Sequence, residues 1–338
     1  VYHIKGLDTT NNLVNYIFYM VNEKESLKHK VLTILRESPD GVSGVELSEE
    51  SGRSRVAAWK AVQGLQEAGY GIEVSRKGYR LVNDLADSIY PWEFGSDEAM
   101  FTHFTSTVST MAEARRMAES GKTQPGETHI ITADMQTHGV GQLGRSWTTT
   151  RGSLAFTIIT KNNLPLACHS RMTMAAQVAL TKVLRRITGR PFYIRWPNDI
   201  WSEDGKVVGI LEELSASGNI CSWINLGIGI NITHRPHLKG TDSIFHRETP
   251  ITRKEILTQF WEEFKVQEKL ACEESPWLAN EWNRLCLDTG HRMRLSGSGK
   301  TVIFRGIDNF GSALLHTPGT KGEKLLLPGT GSFIKSYI

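Results

Sequence analysis

Arg195-Trp-Pro-Asn-Asp199-Ile-Trp-Ser-Glu-Asp204-Gly205-Lys206-Val-Val-Gly209-Ile-Leu211 joins two apolar runs through a tight turn. Asp-Gly is a strong two-residue hairpin signal, because both central positions of such a turn take positive φ. The run from Phe192 to Trp201 is therefore expected to pair antiparallel with Val207–Leu211, with Lys206 beside the turn. Downstream, Trp223-Ile-Asn-Leu-Gly227-Ile-Gly229-Ile-Asn231 reads as another strand, and its glycines leave room for a flat group to lie against the sheet. A lone lysine at a turn is ordinarily solvated, and an asparagine ending a strand is ordinarily a turn former. Arg195, Lys206 and Asn231 at strand ends, with Gly209 and Trp-Pro-Asn-Asp at fixed spacing, point instead to a site.

Upstream, Ile130-Ile-Thr-Ala leads into Gln136-Thr-His-Gly139-Val140-Gly141-Gln142-Leu-Gly144-Arg145-Ser-Trp147, and Leu154–Thr160 follows as a strand. The glycines let backbone approach a ligand closely, but their spacing fits neither the dinucleotide fingerprint nor the P-loop. The loop is either a ligand flap or a plain connection. Phe101–Phe104 reads as a strand, Thr105-Ser106-Thr107 as the cap of a helix from Met111 to Glu119, and Met172–Ile187 as a long amphipathic helix.

Before this segment, Leu27, Val31, Ile34 and Leu35 recur at helical spacing and stop at Ser38-Pro-Asp-Gly41. Ser43 can cap a second short helix, and Ser54 a third with Val56, Ala57, Val62 and Leu65 on its apolar face. Gly71–Val82 then alternates as a hairpin around Arg76-Lys77-Gly78. Three helices and a hairpin make a winged helix-turn-helix, in which Arg53, Ser54, Arg55, Trp59 and Lys60 would reach DNA and Arg76 and Lys77 would add phosphate contacts. Acidic and basic residues balance over Met20–Asp84, so the DNA reading rests on the order of elements, and a protein-interaction module is the alternative.

After the core, Thr289–Leu295, Thr301–His316 and Gly331–Ser336 alternate with glycine turns, suggesting a small β-barrel with a hairpin turn at Asp308–Gly311. The expected division is 1–19, a non-native or upstream extension before a natural start at Met20; 20–84, the winged helix; 85–285, the central domain; and 286–338, the barrel. Net charge is +3, compatible with a polyanionic partner without demanding one. Cys168, Cys221, Cys272 and Cys286 have no metal-ligand spacing and read as reduced thiols of a cytoplasmic protein. No run is long and apolar enough to span a bilayer, so no membrane partner is expected.

Arg195-Trp-Pro-Asn-Asp199, Lys206–Leu211, Gly227-Ile-Gly-Ile-Asn231 and Gln136–Trp147 resemble the successive motifs of biotin protein ligases. With the winged helix, the chain resembles the bifunctional biotin ligases and biotin-operon repressors of bacteria, over roughly Glu25 to the C-terminus. The Trp-Pro-Asn-Asp to Lys206 block is the most specific part, and it fits biotin enzymes better than lipoate ligases. The resemblance implies an α+β protein with a winged helix-turn-helix, a central α/β ligase domain of mixed sheet and helices, and an SH3-like C-terminal barrel that helps with ATP and the carrier.

The implied activity joins biotin and ATP to biotinyl-5′-AMP and transfers biotin to a lysine of biotin carboxyl carrier protein. Lys206 is the implied catalytic group, holding the biotin carboxylate and the adenylate phosphate. Ser106, Thr107 and Gln136 are implied at the ureido ring, Gly209 at the biotin tail, and Gly139, Gly141, Arg145 and Trp147 in the flap over the adenylate. Asp199 and Asn231 would serve the nucleotide side. No metal ligand is assigned, and Mg²⁺ is expected to arrive with ATP near Asp199. Operator DNA and a second copy of the chain, joining when biotinyl-AMP is bound, are the other implied partners. The family flap usually reads Gly-Arg-Gly. Val140 and Gln142 stand here where arginines are common, which implies weaker adenylate retention unless Arg145 or Arg195 substitutes. A biotin-sensing transcription factor with weak or no ligase activity is the alternative.

Overall fold

A computed structural model describes residues 25–338 except 122, 125, 151, 234–238, 247–248, 296–297, 321, 328–332 and 335–338. The expected extension at 1–19 lies outside the described residues. Two compact units divide between Thr102 and His103, two residues into a strand that otherwise belongs to the second.

In the first unit, α1 (Leu27–Glu37) starts at Ser26, whose hydroxyl accepts from the His29 amide, and buries Val31, Leu32, Ile34 and Leu35. Helix α2 (Gly44–Ser51) opens with a capping box in which Ser43 and Glu46 satisfy each other's backbone amides. Helix α3 (Arg55–Glu67) is capped by Ser54 and buries Ala58, Ala61, Val62 and Leu65. Val56, expected on the apolar face, is 62% exposed instead. The helix turns Ala58, Ala61 and Leu65 inward, and position 56 falls on the opposite side. Strands β1 (Gly71–Ser75) and β2 (Gly78–Asn83) form the antiparallel wing, tied to the turn before α2 by reciprocal backbone bonds of 2.8 Å between Val42 and Tyr79. This is the expected helix-turn-helix with its wing.

The second unit is built on a seven-stranded sheet. Its strands are β3 (Phe101–Thr107), β4 (Thr128–Gln136), β7 (Ser153–Thr160), β8 (Tyr193–Arg195), β9 (Asp199–Trp201), β10 (Lys206–Ser217) and β11 (Ile220–Asn231), in the order β3-β4-β7-β11-β10-β9-β8. Two further strands, β5 (Gly139–Val140) and β6 (Ser146–Trp147), form a separate small hairpin. Helix α4 (Thr110–Glu119) covers one face, where Ala114 and Ala118 pack on Ile131, Ile159 and Trp223. The other face meets α5 (Ser170–Thr188) and α6 (Arg253–Cys272), with Phe156 and Phe260 at 5.4 Å between ring centres. Helix α7 (Pro276–Leu285) adds Trp282, which donates to Gln177 at 2.7 Å.

Two local expectations change. Phe192–Trp201 is not one strand: β8 and β9 pair with each other around Trp196-Pro197-Asn198, whose Trp196–Pro197 peptide is cis, and β9 then pairs with β10 through the Asp204-Gly205 turn. Thr105, Ser106 and Thr107 lie within β3, and Ser109 caps α4 through the Met111 amide.

The C-terminal barrel is also corrected. Strands β12 (Arg292–Leu295), β13 (Thr301–Ile307), β14 (Ala313–His316), β15 (Glu323–Leu326) and β16 (Phe333–Ile334) run in the order β15-β14-β13-β12-β16. A barrel requires its first and last strands to pair. Among the described residues no pairing joins β15 to β16, so the sheet is open. The hairpin turn at Asp308–Gly311 is present, with the Gly311 amide donating to the Asp308 carbonyl at 3.1 Å.

This sheet is anchored to the larger one through buried contacts. Arg195 pairs with Asp288 at 3.0 Å, both almost fully buried, and Trp196 Nε1 donates to the Gly311 carbonyl at 3.1 Å. Among the described residues no helix is long and apolar enough to cross a membrane.

Candidate functional site

A cavity of about 230 Å³ opens between α4, β10, β11 and the β5–β6 hairpin. Its floor is set by glycines. The Trp147 indole lies flat on Gly229, where a Cβ would stand 2.2 Å from the ring, and Met111 lies over Gly227, where a Cβ would meet its sulfur at 2.6 Å. Any side chain at either position would displace these walls. The room that Gly227 and Gly229 leave against the sheet is taken here by the Trp147 indole and the Met111 side chain.

Lys206 reaches this cavity from the first position of β10. Its own amide donates to Gly240, and its carbonyl accepts from Asp242, both at 2.9 Å, so the backbone beneath it is pinned on a second side. The ammonium lies 2.6 Å from Asp199 Oδ1, with both side chains partly exposed. Asn231 is buried at the end of β11. Its Nδ2 donates to the Asp242 carbonyl at 3.0 Å, while Oδ1 has no partner among the described residues and the side chain lines the cavity.

At the other end, Gln136 ends β4 and accepts from the Thr110 amide at 2.8 Å and from its hydroxyl at 3.1 Å; its Nε2 donates to Thr149. Thr157 donates to Thr110 from below at 2.8 Å. The start of α4 therefore carries a hydrogen-bonded polar cluster facing the cavity.

Of the expected residues, the cavity gathers Gln136, Gly141, Arg145, Trp147, Asp199, Lys206, Gly209 and Asn231. Gly139 is buried in the hairpin opposite Trp147. Ser106 is exposed on β3 and lines no wall, and Thr107 is buried with its hydroxyl donating to Glu113 at 2.6 Å. Ser109 and Thr110 line the cavity in their place. The signal for them was a Ser-Thr pair immediately before the helical run Met111, Ala114, Ala118. Val140 lines the flap at 51% exposure, and Arg145 Nε donates to the Gln142 carbonyl. Arg195 does not reach the flap, because its guanidinium is held by Asp288 and lies over the Trp201 ring.

Elsewhere, Arg53, Ser54, Arg55, Trp59 and Lys60 are exposed together at the start of α3, and Arg76 and Lys77 are exposed on the wing. The described residues hold one further group with metal-ligand proximity, Asp204, Asp242 and His246. It lies outside the cavity, and Asp242 there is occupied by Ser202 and His246.

Residues 104–231 match the Biotin/lipoate A/B protein ligase family, and residues 28–80 match an HTH domain. The chain is 32% identical over 202 residues to the Bifunctional ligase/repressor BirA of Bacillus subtilis, covering 58% of this chain and 62% of that protein. It therefore spans somewhat less than two thirds of that relative. To the protein of the same name from Escherichia coli it is 26% identical over 292 residues, covering 82% of this chain and 88% of that one. The fold superposes on the biotin protein ligase of Aquifex aeolicus solved with biotin and ATP, with a TM-score of 0.58 and 27% identity, over 70% of this chain and 99% of that chain.

Proposed function

The chain belongs to the biotin protein ligase family, and on that premise we propose that it activates biotin with ATP and passes the biotinyl group to a carrier lysine. Its winged helix would bind operator DNA as a biotin-responsive repressor. The observation that carries the ligase reading is the Lys206 ammonium, fixed 2.6 Å from Asp199 at the mouth of a cavity floored by glycine and walled by Trp147.

A free carboxylate is a poor acyl donor, so it needs a better leaving group. One biotin carboxylate oxygen attacks the α-phosphorus of ATP, a P–O bond forms, and pyrophosphate departs. The carrier amine then attacks the acyl carbon, AMP leaves, and the amine's proton is released. Both steps concentrate negative charge where Lys206 stands, and a preorganised ammonium stabilises it without reorganisation. Asp199 holds that ammonium in place. Thr110 and Gln136 supply polar groups for the ureido ring, and Ser109 sits beside them. Gly209 serves the tail, and Asn231 Oδ1 serves the nucleotide. Trp147 and the flap exclude water from the reactive anhydride.

Asp199 is the one carboxylate among the described cavity residues. Mg²⁺ characteristically binds one or two carboxylates together with phosphate oxygens and waters, so Asp199 would hold Mg²⁺ arriving with ATP, where the ion neutralises phosphate charge.

Carrier docking needs a surface close to this cavity, and pairing with a second copy needs an unpaired one. From Leu211 to Ser217, β10 has β11 on one side and, among the described residues, no strand on the other. An open edge of this kind takes an added strand, so biotin carboxyl carrier protein and a second protomer would compete for it. Ligand binding would order the flap and favour the dimer, coupling catalysis to DNA occupancy.

Val140 favours a second reading, a biotin sensor that ligates slowly, since it puts no positive charge in the flap. Incubation with biotin, ATP and a purified carrier domain, beside operator binding with and without biotin, separates the two. Label on the carrier supports the ligase; biotin-dependent operator binding with an unlabelled carrier supports the sensor.

A further inference from the structure

Asn225 lies in the middle of β11, completely buried, and neither Nδ2 nor Oδ1 has a hydrogen-bond partner among the described residues. An unpaired buried amide costs roughly 1–3 kcal/mol, and a strand centre offers the apolar alternatives Val or Ile at no such cost. Strand alternation puts Asn225 on the face shared by Trp223, Gly227 and Gly229, the face covered by α4 and occupied by the cavity. Its neighbours across the sheet are Ile159 and Glu213, and Glu213 is engaged by Arg115 at 2.6 Å. Next along the strand is Gly227, roofed by the Met111 thioether, which separates Asn225 from the open cavity.

From this we infer that Asn225 is a specificity residue for the ring end of biotin, reached when Met111 moves off Gly227. The inference rests on the biotin reading above. Gly229 lies beside Gly209 in register, at the Lys206 end of the floor. Asn225 is four residues away, about 13 Å along a strand, so an acid with its carboxylate at Lys206 and a several-carbon tail carries its head group toward Asn225. A ureido group presents an N–H donor beside a C=O acceptor. A primary amide presents the same pair in reverse, so one contact satisfies both atoms of Asn225. Thr110 and Thr157 flank the same end, Thr157 directly opposite Gly227, leaving the remaining ureido N–H for that cluster. A dithiolane head group has neither donor nor acceptor and would leave the amide unpaired, which penalises lipoate-like acids. Methionine suits the moving wall, because its unbranched side chain changes shape easily.

The test is calorimetric titration of the full chain and its Asn225→Val variant with biotin, desthiobiotin and octanoate, with thermal melting of each ligand-free protein. Desthiobiotin keeps the ureido group, and octanoate lacks it. The expected result is a tenfold or greater loss of affinity for both ureido ligands, unchanged octanoate binding, and a ligand-free variant that melts no lower than the parent. Biotin affinity within twofold of a biotin-binding parent overturns the role of Asn225 and leaves the ligase reading standing. A parent that binds no biotin overturns both. A lower melting point with equal loss for all three ligands assigns Asn225 to structure and also overturns the inference. Asn225→Gln, which keeps the amide, should recover more biotin affinity than Asn225→Val.

Discussion

Lys206 is fixed by its backbone on both flanks and by Asp199 at its tip, so its charge is placed before any ligand arrives. Replacing Lys206 with alanine should slow adenylate formation at least about tenfold, roughly 1.4 kcal/mol in the barrier, measured by pyrophosphate release. Near-normal release would remove Lys206 from the chemistry. Val140 tests the opposite case, a charge that is missing. Val140→Arg should slow dissociation of biotinyl-adenylate in a trap experiment, and an unchanged off-rate would mean this flap does not use that charge. The position of a single residue was legible where turn type decides it, as for Lys206 beside the Asp204-Gly205 turn. Ser109 and Thr110 were not, because Thr105-Ser106-Thr107 offers the same side chains a few positions earlier. Only the extent of β3 shows that those three belong to a strand.

Among the elements, α3 has the most readable sequence and the least expected surface. Its cap at Ser54 and its end near Gly69 follow from side-chain chemistry, and the buried face is Ala58, Ala61, Val62 and Leu65. Val56 defeats the apolar-face reading because a 13-residue helix with three inward alanines and valines can leave one more valine outside. Exposed Val56 and Trp59 flank Arg55 and Lys60 on one surface. Arg55→Ala should weaken operator binding in a gel-shift titration and leave carrier labelling intact, since α3 and the cavity belong to separate compact units. Equal loss of both activities would contradict that separation. The β8–β9 turn was hidden for another reason: Trp-Pro-Asn-Asp sits within an apolar run, and a proline inside such a run marks an edge or a turn without saying which.

Across the whole molecule, short-range signals identified the helix-turn-helix and several strands of the central sheet, while closure of the C-terminal sheet was beyond them. Alternation and glycine turns specify short curled strands, and whether β15 meets β16 depends on pairing between distant segments. The link that was also invisible is Arg195 to Asp288, an ion pair spanning 93 residues that ties the C-terminal sheet to the central one. Asp288→Ala removes the buried carboxylate that faces the Arg195 guanidinium at 3.0 Å, and should cost about 3–5 kcal/mol in urea unfolding. The double replacement Arg195→Met with Asp288→Leu should cost much less. A single variant as stable as the parent would show that the pair does not carry the junction. The central claim is that the Lys206 cavity makes an acyl-adenylate and delivers it to a protein. Mass spectrometry of a biotin carboxyl carrier domain after incubation with the full chain, biotin and ATP tests it most directly. One biotinyl group on one lysine, dependent on ATP and lost with Lys206→Ala, is the predicted result; an unmodified carrier from a protein that still binds biotin would contradict it.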